Sequence, residues 1–160
     1  MHLGLTRLFG RAAPGERVTE GTPGYSGPHY TVIAALGLQG IRAAWVFDGA
    51  TSGMAFETYV DSVLSPTLHP GDLVLIDNLS AHKREPIRQQ IERRGARLRF
   101  LPPYSPDWNP IELCWAKVKA ALRDAKARTF ETLVEALAAA LRAVDPSEVL
   151  AWFAHCGYTL

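Results

Sequence analysis

An apolar run, Leu73 to Ile76, closes on Asp77, and after 34 intervening residues Glu112 falls in the opening turn of an amphipathic segment. A run so short and so apolar reads as a β-strand covered on both faces. The interval to Glu112 has room for a helix, a second strand and a loop, so the two acids can meet at one edge of a sheet. This points to an α/β fold in which strands and helices alternate. Carboxylates that converge in this way suit a hard divalent cation such as Mg²⁺, which prefers carboxylate, water and phosphate oxygens.

The rest of the chain supplies the other elements. Tyr30 to Leu38 (YTVIAALGL) reads as a strand, and Gly37 with the pair Gln39-Gly40 marks a turn. Ala43 to Asp48 (AAWVFD) follows antiparallel, because so short a link carries no crossover. Met54, Tyr59, Val60, Val63 and Leu64 share one face of a helix that Pro66 ends. Beyond Asp77 a polar helix spans Arg84 to Arg94, with Ile87 and Ile91 on its buried side and Gly95 as its C-terminal cap. Arg97 to Leu101 (RLRFL) alternates polar and apolar, as an outer strand does. From Asn109 the pattern is helical: Ile111, Cys114, Trp115, Val118 and Leu122 form one stripe, and Phe130, Leu133, Val134, Leu137, Ala138 and Leu141 another. A last short helix carries Val149, Leu150, Trp152 and Phe153. Residues 1–29, ending in the turn-rich GTPGYSGPH, are expected to be irregular.

Several of these residues have ordinary structural readings. Asn109, Pro110 and Glu112 suit N-cap, first and third helical positions, and so fit a capping box. Asp77-Asn78 fits a turn in which the Asp side chain caps the following backbone. Asp48, just before Gly49, reads as turn chemistry, and Asp107, in a proline-rich loop, as a loop or cap residue.

Four stretches together carry a family resemblance: TRLFGRAAPGERV, FDGATSGMAF, PTLHPGDLVLIDNLSAHK and ARLRFLPPYSPDWNPIE. The chain resembles the catalytic domain of DDE transposases, in the bacterial insertion-sequence branch of the mariner-like superfamily, from about Thr6 to Tyr158. The resemblance implies a ribonuclease-H-like mixed sheet flanked by helices, here lacking its first strand. It also implies metal-dependent DNA strand cleavage and strand transfer. Asp77 and Glu112 would be the catalytic, metal-binding acids of a site for two Mg²⁺ or Mn²⁺ ions, about 3.5 to 4 Å apart in sites of this kind. Asn78, His82 and Asn109 would support them, His82 by contacting a DNA phosphate or steering a water. Lys83, Arg84, Lys117 and Lys119 would line a phosphate path, and Tyr104 and Trp108 would stack on a displaced base.

Members of this group use three carboxylates, the first on an opening strand. Residues 1–5 (MHLGL) supply no acid. The expectation is therefore of a fragment cut after the first catalytic Asp, or of a misassigned start or a frameshift. Such a fragment would be inactive alone, a remnant or a regulator that binds intact transposase or itself. The expected partners are DNA, as insertion-sequence ends and target, and a further copy or an intact transposase.

Composition agrees with one domain, with 30–125 as the core holding the metal site and 126–160 as C-terminal helices. At 160 residues and 48% hydrophobic content a sizeable core is within reach. Lys and Arg number 17 against 16 Asp and Glu, a balance unlike that of a protein gripping duplex DNA through many phosphates. The principal DNA-reading module is accordingly expected outside this chain. Cys114 and Cys156 lack zinc-ligand spacing and read as packed thiols. No apolar run reaches the roughly 20 residues of a membrane span. The expected location is the bacterial cytoplasm, on the nucleoid when DNA is bound, with no membrane partner.

Overall fold

A computed structural model describes residues 1–21, 24 and 27–159. Part of the turn-rich stretch, residues 22, 23, 25 and 26, lies outside the described residues, as does residue 160. Strands β1 (Tyr30–Gly37) and β2 (Gly40–Asp48) form an antiparallel pair with an irregularity between Ala35 and Leu36. Alternate side chains of this pair serve two different cores. Ile33, Ala35, Ala43 and Trp45 pack on one side, and Tyr30, Val32, Leu36, Ile41 and Val46 on the other. The pair is thus the middle layer between two groups of helices.

The first core lies against helix α1 (Gly53–Tyr59), the parallel strands β3 (Leu73–Ile76) and β4 (Arg97–Phe100), and the crossover helix α2 (Glu85–Glu92). Parallel neighbours require such a crossover. Ile87 and Ile91, both 0% exposed, seat α2 on Phe56, Tyr59, Val60, Leu64, Ile76 and Leu98. Beyond α2, Gly95 adopts φ +74, a left-handed value that glycine takes without strain, and a Cβ there would meet Pro70 at 3.1 Å. After α1 the chain widens into a π-helical turn, Val60–Leu64, and tightens into a 3₁₀ turn, Ser65–Thr67, that contains Pro66.

Two expectations about this half need correction. Met54 is 71% exposed, and its place on the buried face is taken by Phe56, at spacings of three and four from Tyr59 and Val60, which are buried as expected. Strand β3 is not covered on both faces: Leu73 is exposed and Val74 and Leu75 are half-buried. Among the described residues its sheet has only β4 beside it, and no ladder joins β1–β2 to β3–β4.

The second core joins α3 (Pro110–Ala125), α4 (Phe130–Arg142) and α5 (Pro146–His155) to the far face of β1–β2. Cys114, Val118, Leu122, Leu133, Leu137 and Val149 are buried at its centre, and burial pushes the Cys114 thiol up to about 11. Both cysteines are free thiols. Ala140, not Ala138, completes the buried face of α4, and Leu150 of α5 is exposed. The chain's first residue also reaches β1: the Met1 amino group donates to the Tyr30 carbonyl at 2.5 Å, and Tyr30 N–H donates to the Met1 carbonyl at 2.8 Å. No helix among the described residues is long and apolar enough to cross a membrane.

Lys117 ties three helices together. Its ammonium donates to Glu148 at the start of α5 and, at 2.8 Å, to the Ala143 carbonyl that follows α4. Asp145 and Glu148 close a capping box over the start of α5. The Lys117 hydrogen bond holds Glu148 below the usual carboxylate range, and the Ser147 hydroxyl and N–H do the same for Asp145. Depressed folded pKa values contribute stability above the ordinary carboxylate range and lose it as pH falls through the depressed values. Acidification should therefore lower the thermal unfolding midpoint. Lys117→Met should flatten that acid dependence, which melting curves across the acid range will test.

Candidate active site

Asp77 follows directly on β3, at the end where the Leu101 N–H donates to the Ile76 carbonyl at 2.8 Å. The loop leaving β4 thus starts beside Asp77. It carries Pro102, Pro103 and Pro106, passes through a 3₁₀ turn at Pro106–Trp108, and enters α3 with Pro110 at the first helical position. Each proline fixes one backbone angle, so the loop that leads from β4 to Glu112 is stiff. Tyr104 in this loop is fully exposed with φ 56, in the left-handed region that a tyrosine seldom adopts.

Asp77 is held by one oxygen. Its Oδ1 accepts from His82 Nδ1 at 2.5 Å and from the Leu79 N–H at 3.2 Å. The turn reading is therefore realised, through a single atom, and Oδ2 has no partner among the described residues. The His82 ring belongs to a 3₁₀ turn, Ser80–His82, and stacks on Phe56 with centroids 3.8 Å apart and planes 30° apart. The His82 side chain is 12% exposed and that of Asp77 44%, so the shielded ring grips a carboxylate that faces solvent.

Glu112 occupies the third position of α3 and its N–H donates to the Asn109 carbonyl at 3.0 Å. The capping box that the residue types suggest does not form, because Asn109 makes no side-chain cap. Its ψ is 97°, whereas the N-caps that do close, Ser52, Thr129 and Asp145, have ψ of 165°, 162° and 138°. The Glu112 carboxylate is exposed and free of hydrogen bonds and ion pairs among the described residues. Near the helix N-terminus its charge is still favourable.

The other expected residues fall into different settings. Asn78 is half-buried and makes no hydrogen bond to Asp77, whose support comes from His82 and Leu79. Arg84 is paired with Glu57 of α1 at 3.1 Å. Lys117 is engaged between helices and is withdrawn from the phosphate path, since its cation already has a carboxylate and a carbonyl. Lys83 and Lys119 are exposed and without ion pairs among the described residues. Trp108 is exposed, its carbonyl accepting from the Tyr158 hydroxyl at 2.8 Å. Phe56 and Glu57 went unread in the sequence, although Phe56, Tyr59 and Val60 at spacings of three and four were the available signal. Asp48 and Asp107 are exposed; among the described residues no three His, Cys, Asp or Glu side chains gather to hold a metal.

Residues 1–134 match the family described as DDE superfamily endonuclease. The chain belongs to that family. No curated protein matches it in sequence. Among solved structures, the Mos1 transposase paired-end complex with left transposon end shares 17% identity at a TM-score of 0.75, over 96% of this chain and 48% of that one. The Mos1 mariner paired-end complex with Mn shares 17% at 0.67, over 94% and 47%. The Mos1 transposase catalytic domain with raltegravir and Mg shares 16% at 0.62, over 83% of each chain. The DDE chain therefore has the ribonuclease-H-like fold of the Mos1 catalytic domain and spans about half the length of the Mos1 chains in the two DNA-end complexes.

Proposed function

We propose that this DDE chain is the catalytic domain of a transposase from a bacterial insertion sequence of the mariner-like branch. Within the intact protein it serves to cleave DNA at the element's ends and to join them to a target in the bacterial cytoplasm, with Mg²⁺ or Mn²⁺. The observation that carries this reading is a pair of carboxylates, one directly after β3 and one in the first turn of α3, the helix reached by the proline-rich loop that starts beside Asp77. Asp77 is fixed through Oδ1 with Oδ2 unengaged among the described residues, and Glu112 is exposed and uncapped. Mos1 complexes that contain transposon ends, Mn or Mg support DNA and a divalent cation as partners.

The donors fit such a cation in kind: both are carboxylate oxygens, the ligands that hard ions prefer. Asp77 through Oδ2 and Glu112 would hold it. The chemistry supplied is Lewis-acid activation of a water or 3′-hydroxyl and neutralisation of charge at the phosphate. The rest falls to the protein's own groups. Exposed Lys83 and Lys119 attract the phosphate backbone, Arg84 is steadied beside α1 by Glu57, and Tyr104 and Trp108 offer flat faces to an unstacked base.

The test is cleavage of duplexes bearing the element's ends by the full-length protein. Strand breaks should appear with Mg²⁺ or Mn²⁺ and vanish with EDTA. Equal cleavage in EDTA, or cleavage of RNA alone, rules the reading out.

A further inference from the structure

We propose that His82 is the positioning residue for Asp77: it locks one carboxylate oxygen so that the other is presented, pre-oriented, to the metal. The inference rests on the reading of Asp77 as a metal ligand and adds the device that aims it.

An aspartate at an exposed strand end samples several rotamers, and ordering it costs side-chain entropy. Here two donors converge on the same atom. His82 Nδ1 lies 2.5 Å from Oδ1 and the Leu79 N–H 3.2 Å from it. An ionised carboxylate only accepts, so Nδ1 carries the proton and the ring's tautomer is fixed by its partner. The ring is itself immobilised. It is largely buried, stacked on Phe56, and Phe56 belongs to the first core at 6% exposure. A chain of contacts therefore runs from the core through Phe56 and His82 to Oδ1. Oδ2 is the Asp77 oxygen left for a ligand, which makes Asp77 a one-oxygen donor.

A purely structural histidine would give the same stack but would not need Asp77. Hydrogen-bonded partners behind a metal ligand typically change metal affinity or activity by about 10- to 100-fold. In the full-length protein, His82→Ala should weaken Mn²⁺ binding and DNA cleavage by roughly 10-fold or more. His82→Asn keeps an N–H within reach of Oδ1 while losing the stack on Phe56, and should recover most of both. In mildly alkaline buffer without metal, isotope-labelled histidine NMR of the wild type should find the His82 proton on Nδ1.

A proton on Nε2 alone, or equal Mn²⁺ affinities for His82→Ala and His82→Asn, overturns the proposal. Should His82→Ala fail to fold, the tautomer and a wild-type-like Mn²⁺ affinity in His82→Asn still decide. Asp77→Asn separates the two levels of inference. If it leaves Mn²⁺ binding intact, the ligand reading fails and the positioning role with it; if it weakens binding and His82→Ala does not, the positioning role alone is wrong.

Discussion

Asp77→Asn or Glu112→Gln should each lower metal-dependent DNA cleavage by the full-length protein by roughly 100-fold or more, since loss of a ligand exceeds the 10- to 100-fold cost of losing its hydrogen-bonded support. Each substitution removes a negative charge at nearly constant volume. Asp77→Asn retains a side-chain oxygen that accepts from His82 and the Leu79 N–H, so the β3 end keeps its local structure. Glu112→Gln gives up only a favourable charge at a helix start, about 0.3 to 1 kcal/mol. Unfolding midpoints close to wild type, beside collapsed cleavage, would assign the loss to chemistry. Near-wild-type cleavage by either variant would remove that acid from the site.

The second large effect is on stability. Ile91→Ala should destabilise the protein by about 2 to 5 kcal/mol, the usual range for removing a buried aliphatic side chain down to Cβ. Ile91 and Ile87 are fully buried and are the two residues by which the short, otherwise polar α2 enters the core. The neighbours Phe56, Tyr59 and Leu98 belong to elements pinned elsewhere, which limits collapse into the space left. Urea unfolding followed by circular dichroism measures the change. A loss under about 1 kcal/mol, below the range for such a truncation, would mean that α2 is held by something other than these two isoleucines.

Most of the framework was legible because apolar period and length decide it. The antiparallel β1–β2 pair followed from a link too short for anything else, and α2 from Ile87 and Ile91 four apart in a polar stretch that Gly95 ends. What escaped depends on angles that residue types do not encode. Asn109-Pro110-Ile111-Glu112 has the composition of a capping box, yet Asn109, at ψ 97°, makes no side-chain cap and the Glu112 carboxylate stays free of hydrogen bonds among the described residues. The His82 contact with Asp77 depends on how five residues curl after β3, and nothing in NLSAHK states that curl. Lys117 looked like a phosphate contact because its partners, Ala143 and Glu148, lie 26 and 31 residues away. The buried face of α1 was misjudged through Met54, which stands five and six residues from Tyr59 and Val60 and so falls off the three-and-four period that Phe56 keeps with them.

Helix α3 works as an index wheel. Successive residues advance by about 100° around the axis, so Glu112 and Cys114 lie roughly on opposite sides. The rotation that buries Cys114, Val118 and Leu122 therefore also sets the heading of the Glu112 carboxylate, and the two cannot be adjusted separately. One residue inserted between Glu112 and Cys114 would swing the acid by about a quarter turn while the core contacts stayed put. The proline-rich loop has little slack to absorb it. In this domain the aim of a surface acid is written into the packing phase of the helix beneath it.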